Sequence, residues 1–182
     1  MYLSYSILNL FAYSHIYLHI CILQSIQSMV KEYSFDELLH KAASYCSISE
    51  HCISEVAEKL QKWEVTNADR KKIIEQLIEK DFINEQRYAE AFVQDKFRFN
   101  KWGKKKISFA LNDKGIDMSL ISDALDQIDE GEYDEMLASI LKTKLGGLKY
   151  TYEYEKQGKL FKFAQSRGFE NNVIERVLRG MN

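Results

Sequence analysis

The sequence predicts an all-α protein, an elongated array of three tandem three-helix repeats, and three observations lead there. The 182 residues include no proline and only eight glycines, which leaves few hairpin turns or irregular loops. Leu, Ile, Glu, Lys, Gln and Ala are plentiful, and all of them lose little freedom in a helix. A turn signature also recurs: Trp63-Glu64-Val65, Lys114-Gly115-Ile116 and Arg167-Gly168-Phe169 each pair a basic or aromatic residue with a turn residue and an apolar plug, spaced 51 and then 53 residues apart. A period near fifty with three helices in each implies units that stack and bury their faces on neighbours.

The elements follow in order. Ser34 and Glu37 form a capping box ahead of Phe35, Leu38, Leu39, Ala42 and Ala43 at helical spacing. A second box, Ser47 with Glu50, is expected to open a helix whose inner stripe is Ile53, Val56, Ala57, Leu60 and Trp63. The turn at Thr66 and Asn67 caps a third, with Ile73, Ile74, Leu77 and Ile78 inward. Asn84 caps a fourth carrying Tyr88, Ala91 and Phe92, with Phe99 a further candidate. Gly103 interrupts, Ile107, Ala110 and Leu111 mark the fifth, and Gly115 ends it. Asp117 caps the sixth, which carries Leu120, Ile121, Ala124, Leu125 and Ile128 until Gly131. The last three helices hold Tyr133, Met136, Leu137, Ile140 and Leu141; then, after Gly146 and Gly147, Leu160, Phe163 and Ala164; then, after Gly168, Val173, Ile174, Val177 and Leu178. The expected repeats are residues 34–82, 83–130 and 131–182. Glu64 stands where the other two turns have glycine.

Residues 1–28 contain no Lys, Arg, Asp or Glu. A signal peptide wants a basic start and a spanning helix an unbroken apolar run, whereas Asn9, His15, His19 and Gln24 interrupt this segment. The preferred reading makes Met29 the natural start, with residues 1–28 outside the folded body; a peripheral membrane or partner-binding segment is the alternative.

Composition narrows function. A formal charge of -2 excludes nucleic-acid binding through the overall field, so any anion site must be local. Cys21, Cys46 and Cys52 have no framework spacing, which points to a reducing compartment, and the absence of a CxxC pair argues against a metal role for Cys46, His51 and Cys52. There is no phosphate-cradling glycine loop and no nucleophile elbow, and His15, His19, His40 and His51 are scattered. The expectation is a cytoplasmic, monomeric binding protein with no catalytic activity, cofactor, metal or membrane attachment.

Phe82-Ile83-Asn84-Glu85-Gln86-Arg87-Tyr88-Ala89, together with Lys114-Gly115-Ile116, Ile121 and Ala124-Leu125, resembles the RecX family of bacterial regulatory proteins, and the resemblance runs from about Asp36 to Arg179. It implies tandem three-helix repeats and a modulator of RecA, the recombinase that coats single-stranded DNA. Such proteins bind in the filament groove and restrain strand exchange and ATP hydrolysis, with consequences for DNA repair and the SOS response.

The strongest local signal for binding is Lys96, Arg98, Lys101, Lys104, Lys105 and Lys106, with no acid between Lys96 and Lys106 and with Phe97, Phe99 and Trp102 interleaved. Cations in the first turn of a helix from Lys104 oppose its dipole, so stability alone would not select them. Free backbone N–H groups beside these lysines would suit a phosphate or carboxylate. A solvated helix face is the plainer account. From Gly115 to Leu141 the sign reverses, with eight acids and no Lys or Arg. Lys114 and, in the last repeat, Arg167, Arg176 and Arg179 complete the candidate contacts, with Lys156, Lys159 and Lys162 nearby but diluted by acids. The partner expected is the RecA filament, with single- or double-stranded DNA meeting the 96–106 cluster; a helical nucleic-acid-binding or adaptor protein unrelated to recombination is the alternative.

Overall fold

A computed structural model describes residues 33–181, so the reading of residues 1–28 lies outside the described residues. The chain divides into two compact units, residues 1–38 and 39–182. Among the described residues there are nine helices and no strand. They are α1 (Phe35–Cys46), α2 (Ile53–Lys62), α3 (Asn67–Glu79), α4 (Glu85–Arg98), α5 (Lys104–Asp113), α6 (Met118–Asp126), α7 (Glu130–Gly146), α8 (Glu153–Arg167) and α9 (Asn171–Gly180).

In the first unit, the described residues begin α1. Its capping box forms: the Glu37 N–H donates to Ser34 Oγ, and the Ser34 N–H donates to Glu37 Oε2 at 2.9 Å.

In the second unit, Thr66, Asn84, Asp117 and Asp129 cap α3, α4, α6 and α7 by accepting from a backbone N–H of the first turn. Two expectations are corrected. The Ser47–Glu50 box does not form, because the Ser47 hydroxyl donates back to the Ala43 carbonyl and Glu50 is drawn away to Arg87 Nε at 2.9 Å. α2 starts instead at Ile53, after Cys52. Helix α6 stops at Asp126 rather than running to Gly131: Asp129 takes the Glu132 N–H, which places Gly131 inside the first turn of α7.

The recurrent turns share one geometry. Glu64, Gly115 and Gly168 have φ of 59°, 83° and 90°. Each donates its N–H three residues back, to Gln61, Asn112 and Gln165, all at 2.9 Å. The following Val65, Ile116 and Phe169 donate to Leu60, Leu111 and Ala164, and all three plugs are buried. This is the Schellman helix ending, and Asp81, at φ 58°, closes α3 in the same way, its N–H donating to Ile78 and that of Phe82 to Leu77.

α2 packs on α3; α4, α5 and α6 pack on one another, and so do α7, α8 and α9. One continuous apolar core runs from Tyr88 through Phe97, Ile107, Leu111, Leu137 and Leu141 to Phe169 and Ile174, and of the described residues 33–80 it takes in only Cys52. No helix among the described residues is long and apolar enough to cross a membrane.

Candidate partner-binding surface

The basic residues gather around two joints. At the first, the start of α2 meets the turn that ends α5. The Ser54 hydroxyl donates to the Lys114 carbonyl at 2.7 Å. Glu55 Oε1 accepts from the Tyr88 hydroxyl at 2.8 Å and from Lys114 Nζ at 2.5 Å, while Glu55 Oε2 lies 3.0 Å from His51 Nδ1. Burial works to raise the Glu55 pKa, but the hydrogen bonds from Lys114, His51 and Tyr88 together outweigh it and hold the carboxyl below its ordinary value. Burial and the Glu55 carboxylate push the Tyr88 phenol upward, so it stays a donor. The side chain of Lys114 is therefore a tie between helices before it is a contact for any partner.

The second joint repeats the first one module later, with backbone in place of side chains. The Lys105 N–H donates to the Gly168 carbonyl at 3.1 Å, and the Gly103 N–H to the Arg167 carbonyl at 2.8 Å. The Lys104 N–H donates to the hydroxyl of Tyr133, which in turn donates to Glu170 Oε2 at 2.7 Å. Such proximity requires glycine: a Cβ on Gly103 would stand 2.3 Å from the Gly168 carbonyl carbon, and a Cβ on Gly168 would stand 2.3 Å from Lys106 Cβ. The expectation of free N–H groups at the start of α5 is overturned here. The Lys106 and Ile107 amides bond the Gly103 carbonyl, so all four first-turn donors are taken.

The 96–106 cluster does not act as one patch, because α5 divides it. Lys96 and Lys106 join Lys114 in a groove of about 700 Å³ between the two joined modules. There the three ammonium groups lie over aromatic rings: Lys96 is 4.9 Å from Phe92, Lys106 4.5 Å from Trp102 and Lys114 6.0 Å from Tyr88. Glu50, Glu55 and Asp113 share the wall, and Lys96 also pairs with Asp95 at 2.6 Å. Lys104 and Lys105 line a second groove, of about 610 Å³, between α5 and α6. Arg98 is exposed at the end of α4, and Lys101 sits half-buried in the following loop with φ 56°.

The last-module arginines divide likewise. Arg176 forms a bidentate pair with Asp134 at 2.7 and 2.8 Å, which fastens α9 to α7. Arg167 donates to the Asn100 carbonyl at 3.1 Å and covers Phe163. Arg179 is exposed beside a groove lined by Phe161 and Leu178. Cys46 and Cys52 are buried free thiols, and among the described residues no group of three or more His, Cys, Asp or Glu is placed to hold a metal.

Sequence reasoning missed Glu55, Tyr88 and Tyr133 as joint residues. A signal existed for the tyrosines, since each follows its helix cap, Asn84 or Asp129, by four positions. Glu55 carried none, because its partners Tyr88 and Lys114 lie 33 and 59 residues away.

Comparison with known proteins agrees with this architecture. The family described as "RecX, second three-helix domain" matches residues 84–125, which cover α4 to α6. The chain is 29% identical over 159 residues to the regulatory protein RecX of Lactobacillus johnsonii, a match covering 86% of this chain and 58% of that protein, so this chain spans little more than half of that relative's length. Against the regulatory protein RecX of Clostridium perfringens the identity is 26%, with 86% and 74% covered. The crystal structure of RecX from Lactobacillus salivarius superimposes with a TM-score of 0.73 at 25% identity, over 80% of this chain and 95% of that one.

Proposed function

Because the chain belongs to the RecX family of regulatory proteins, we propose that it binds the RecA filament on DNA and restrains its ATP hydrolysis and strand exchange. The observation that carries this reading is the groove between the first two modules, where Lys96, Lys106 and Lys114 sit over Phe92, Trp102 and Tyr88. Cations backed by rings suit an anionic polymer or an acidic protein strip, and the acids in the same wall limit purely electrostatic attachment. Under this reading residues 34–82, 83–130 and 131–182 are three modules of a cytoplasmic, monomeric regulator of recombination and the SOS response that carries out no catalysis itself. Lys96, Arg98, Lys101, Lys104, Lys105, Lys106, Lys114, Arg167, Arg176 and Arg179 remain the basic residues proposed for contact. The structural ties of Lys114, Arg167 and Arg176 give those three an additional role.

A titration of DNA-dependent ATP hydrolysis by the host's own recombinase tests the proposal. Inhibition at a low ratio of this protein to recombinase is expected; unchanged hydrolysis and strand exchange at equimolar protein would refute it. The alternative, a nucleic-acid-binding protein unrelated to recombination, draws on the same lysines and Trp102. It requires DNA affinity that falls steeply with salt and no effect on the recombinase.

A further inference from the structure

The groove between α5 and α6 differs in chemistry from the one between the first two modules. Met118, 59% exposed, lines it, and Phe109, 73% exposed, lies on the rim it shares with the groove between the modules. Half-buried Leu125 lies between the helices, and Lys104 and Lys105 stand at one end. Neither ammonium group forms an ion pair among the described residues; Lys104 lies over the Tyr133 ring at 5.3 Å and Lys105 is exposed. Asp126 and Glu170 line the same groove.

We propose that this groove docks a protein segment that presents apolar side chains to Phe109, Met118 and Leu125 and a carboxylate to Lys104 and Lys105. The proposal rests on the reading of the chain as a recombinase regulator and specifies the contact: this face meets the protein subunits of the filament, whereas the groove between the modules is left for anionic polymer. One observation favours protein over nucleic acid here: an exposed thioether such as Met118, beside the apolar Leu125, gains nothing from phosphate yet gains from apolar cover. Charge also argues against the chain's own first 28 residues as occupant, since they contain no carboxylate side chain to meet the lysines. Exposed Phe and Met on a well-formed helix pair add little to folding and are the kind of anchors on which interfaces concentrate their affinity.

The test pairs two readouts on the full chain: association with the host recombinase in the absence of DNA, and affinity for a single-stranded oligonucleotide. The double variant Met118→Ser with Leu125→Ala, which spares Phe109 because that ring also borders the groove between the modules, is expected to weaken recombinase association about tenfold or more while leaving oligonucleotide affinity within about twofold. Lys105→Glu, which leaves the apolar surface intact, is expected to weaken the same association roughly fivefold, most clearly at low salt. Circular dichroism confirms that both variants fold. Unchanged recombinase association in the double variant overturns the proposal, and a parallel loss of oligonucleotide affinity assigns the groove to nucleic acid and overturns it too. A wild-type dimer in sedimentation that the double variant abolishes would assign the groove to a second copy and overturn the proposal as well. If the wild type fails to associate with the recombinase or to inhibit its ATP hydrolysis, the functional reading falls, and this proposal with it.

Discussion

Glu55 gathers Tyr88, Lys114 and His51 onto one carboxyl, so a single charge ties α2 to α4 and to the turn after α5. Its pKa is lowered in the fold, so its contribution is fully present above the unfolded value, about 4.3, and is lost as pH falls through the lower folded value. The Lys114 pKa is raised, so its share is present below the unfolded value, about 10.4, and is lost only on alkaline titration beyond it. The Glu55 share of the joint is therefore expected to be lost at acid pH, below the normal Glu range. Glu55→Gln should reduce stability by about 1–3 kcal/mol in urea unfolding at pH 7 and flatten the acid limb of the pH profile. Among the lysines that open α5, Lys105 predicts the opposite sign. Replacing Lys104, Lys105 and Lys106 with Ala removes cations facing the positive end of a dipole, which should raise stability by a few tenths of a kcal/mol at exposed Lys105. At Lys104 and Lys106, loss of the contacts with Tyr133 and Trp102 offsets that gain. Under the proposed function, association with the RecA filament should fall and helical content stay constant; unchanged affinity would leave these residues as a solvated helix face.

Four helices end in the same hydrogen-bonded turn, at Glu64, Asp81, Gly115 and Gly168, yet their left-handed residues face different surroundings. A Cβ on Gly115 meets nothing within 4 Å, whereas one on Gly168 collides with the backbone and Cβ of Lys106. Gly115→Ala is therefore expected to cost only the left-handed strain, about 1–2 kcal/mol, and Gly168→Ala clearly more, because helix α8 must part from the start of α5. Glu64 already bears that strain at φ 59°, so Glu64→Gly should be neutral or stabilise by up to about 1 kcal/mol. Equal losses at Gly115 and Gly168 in urea unfolding would show that the second joint opens without penalty.

Across the molecule, the modules are not equally bound together. α4 to α9 share a continuous apolar core, while residues such as Leu60, Ile73 and Leu77 are buried outside it. Cys52, the polar contacts of Ser54 and Glu55, and the Glu50–Arg87 ion pair supply the link between them. Apolar burial scales with shared area, and a few polar bonds contribute about 1 kcal/mol each, so α4–α9 should open as one cooperative unit and α2–α3 more readily. Native-state hydrogen exchange is expected to show lower protection for the amides of α2 and α3 than for those of α5 and α8. Equal protection would mean that the first joint is as strong as the second.

Helix order, the caps at Ser34, Thr66, Asn84 and Asp117 and the turns at Gly115 and Gly168 were all readable from local sequence, because capping, apolar periodicity and left-handed backbone are properties of neighbouring residues. The lysine cluster was readable as composition. Its use was not, because whether Lys104 and Lys105 have open amides depends on Tyr133 and Gly168, and whether Arg176 is available depends on Asp134, 42 residues away. The Ser47–Glu50 box failed for the same reason, when Arg87 from another helix took the carboxylate. Local pattern decides which residues are helical and which face is apolar; only packing of distant segments decides which polar groups are already satisfied and which remain to meet a partner.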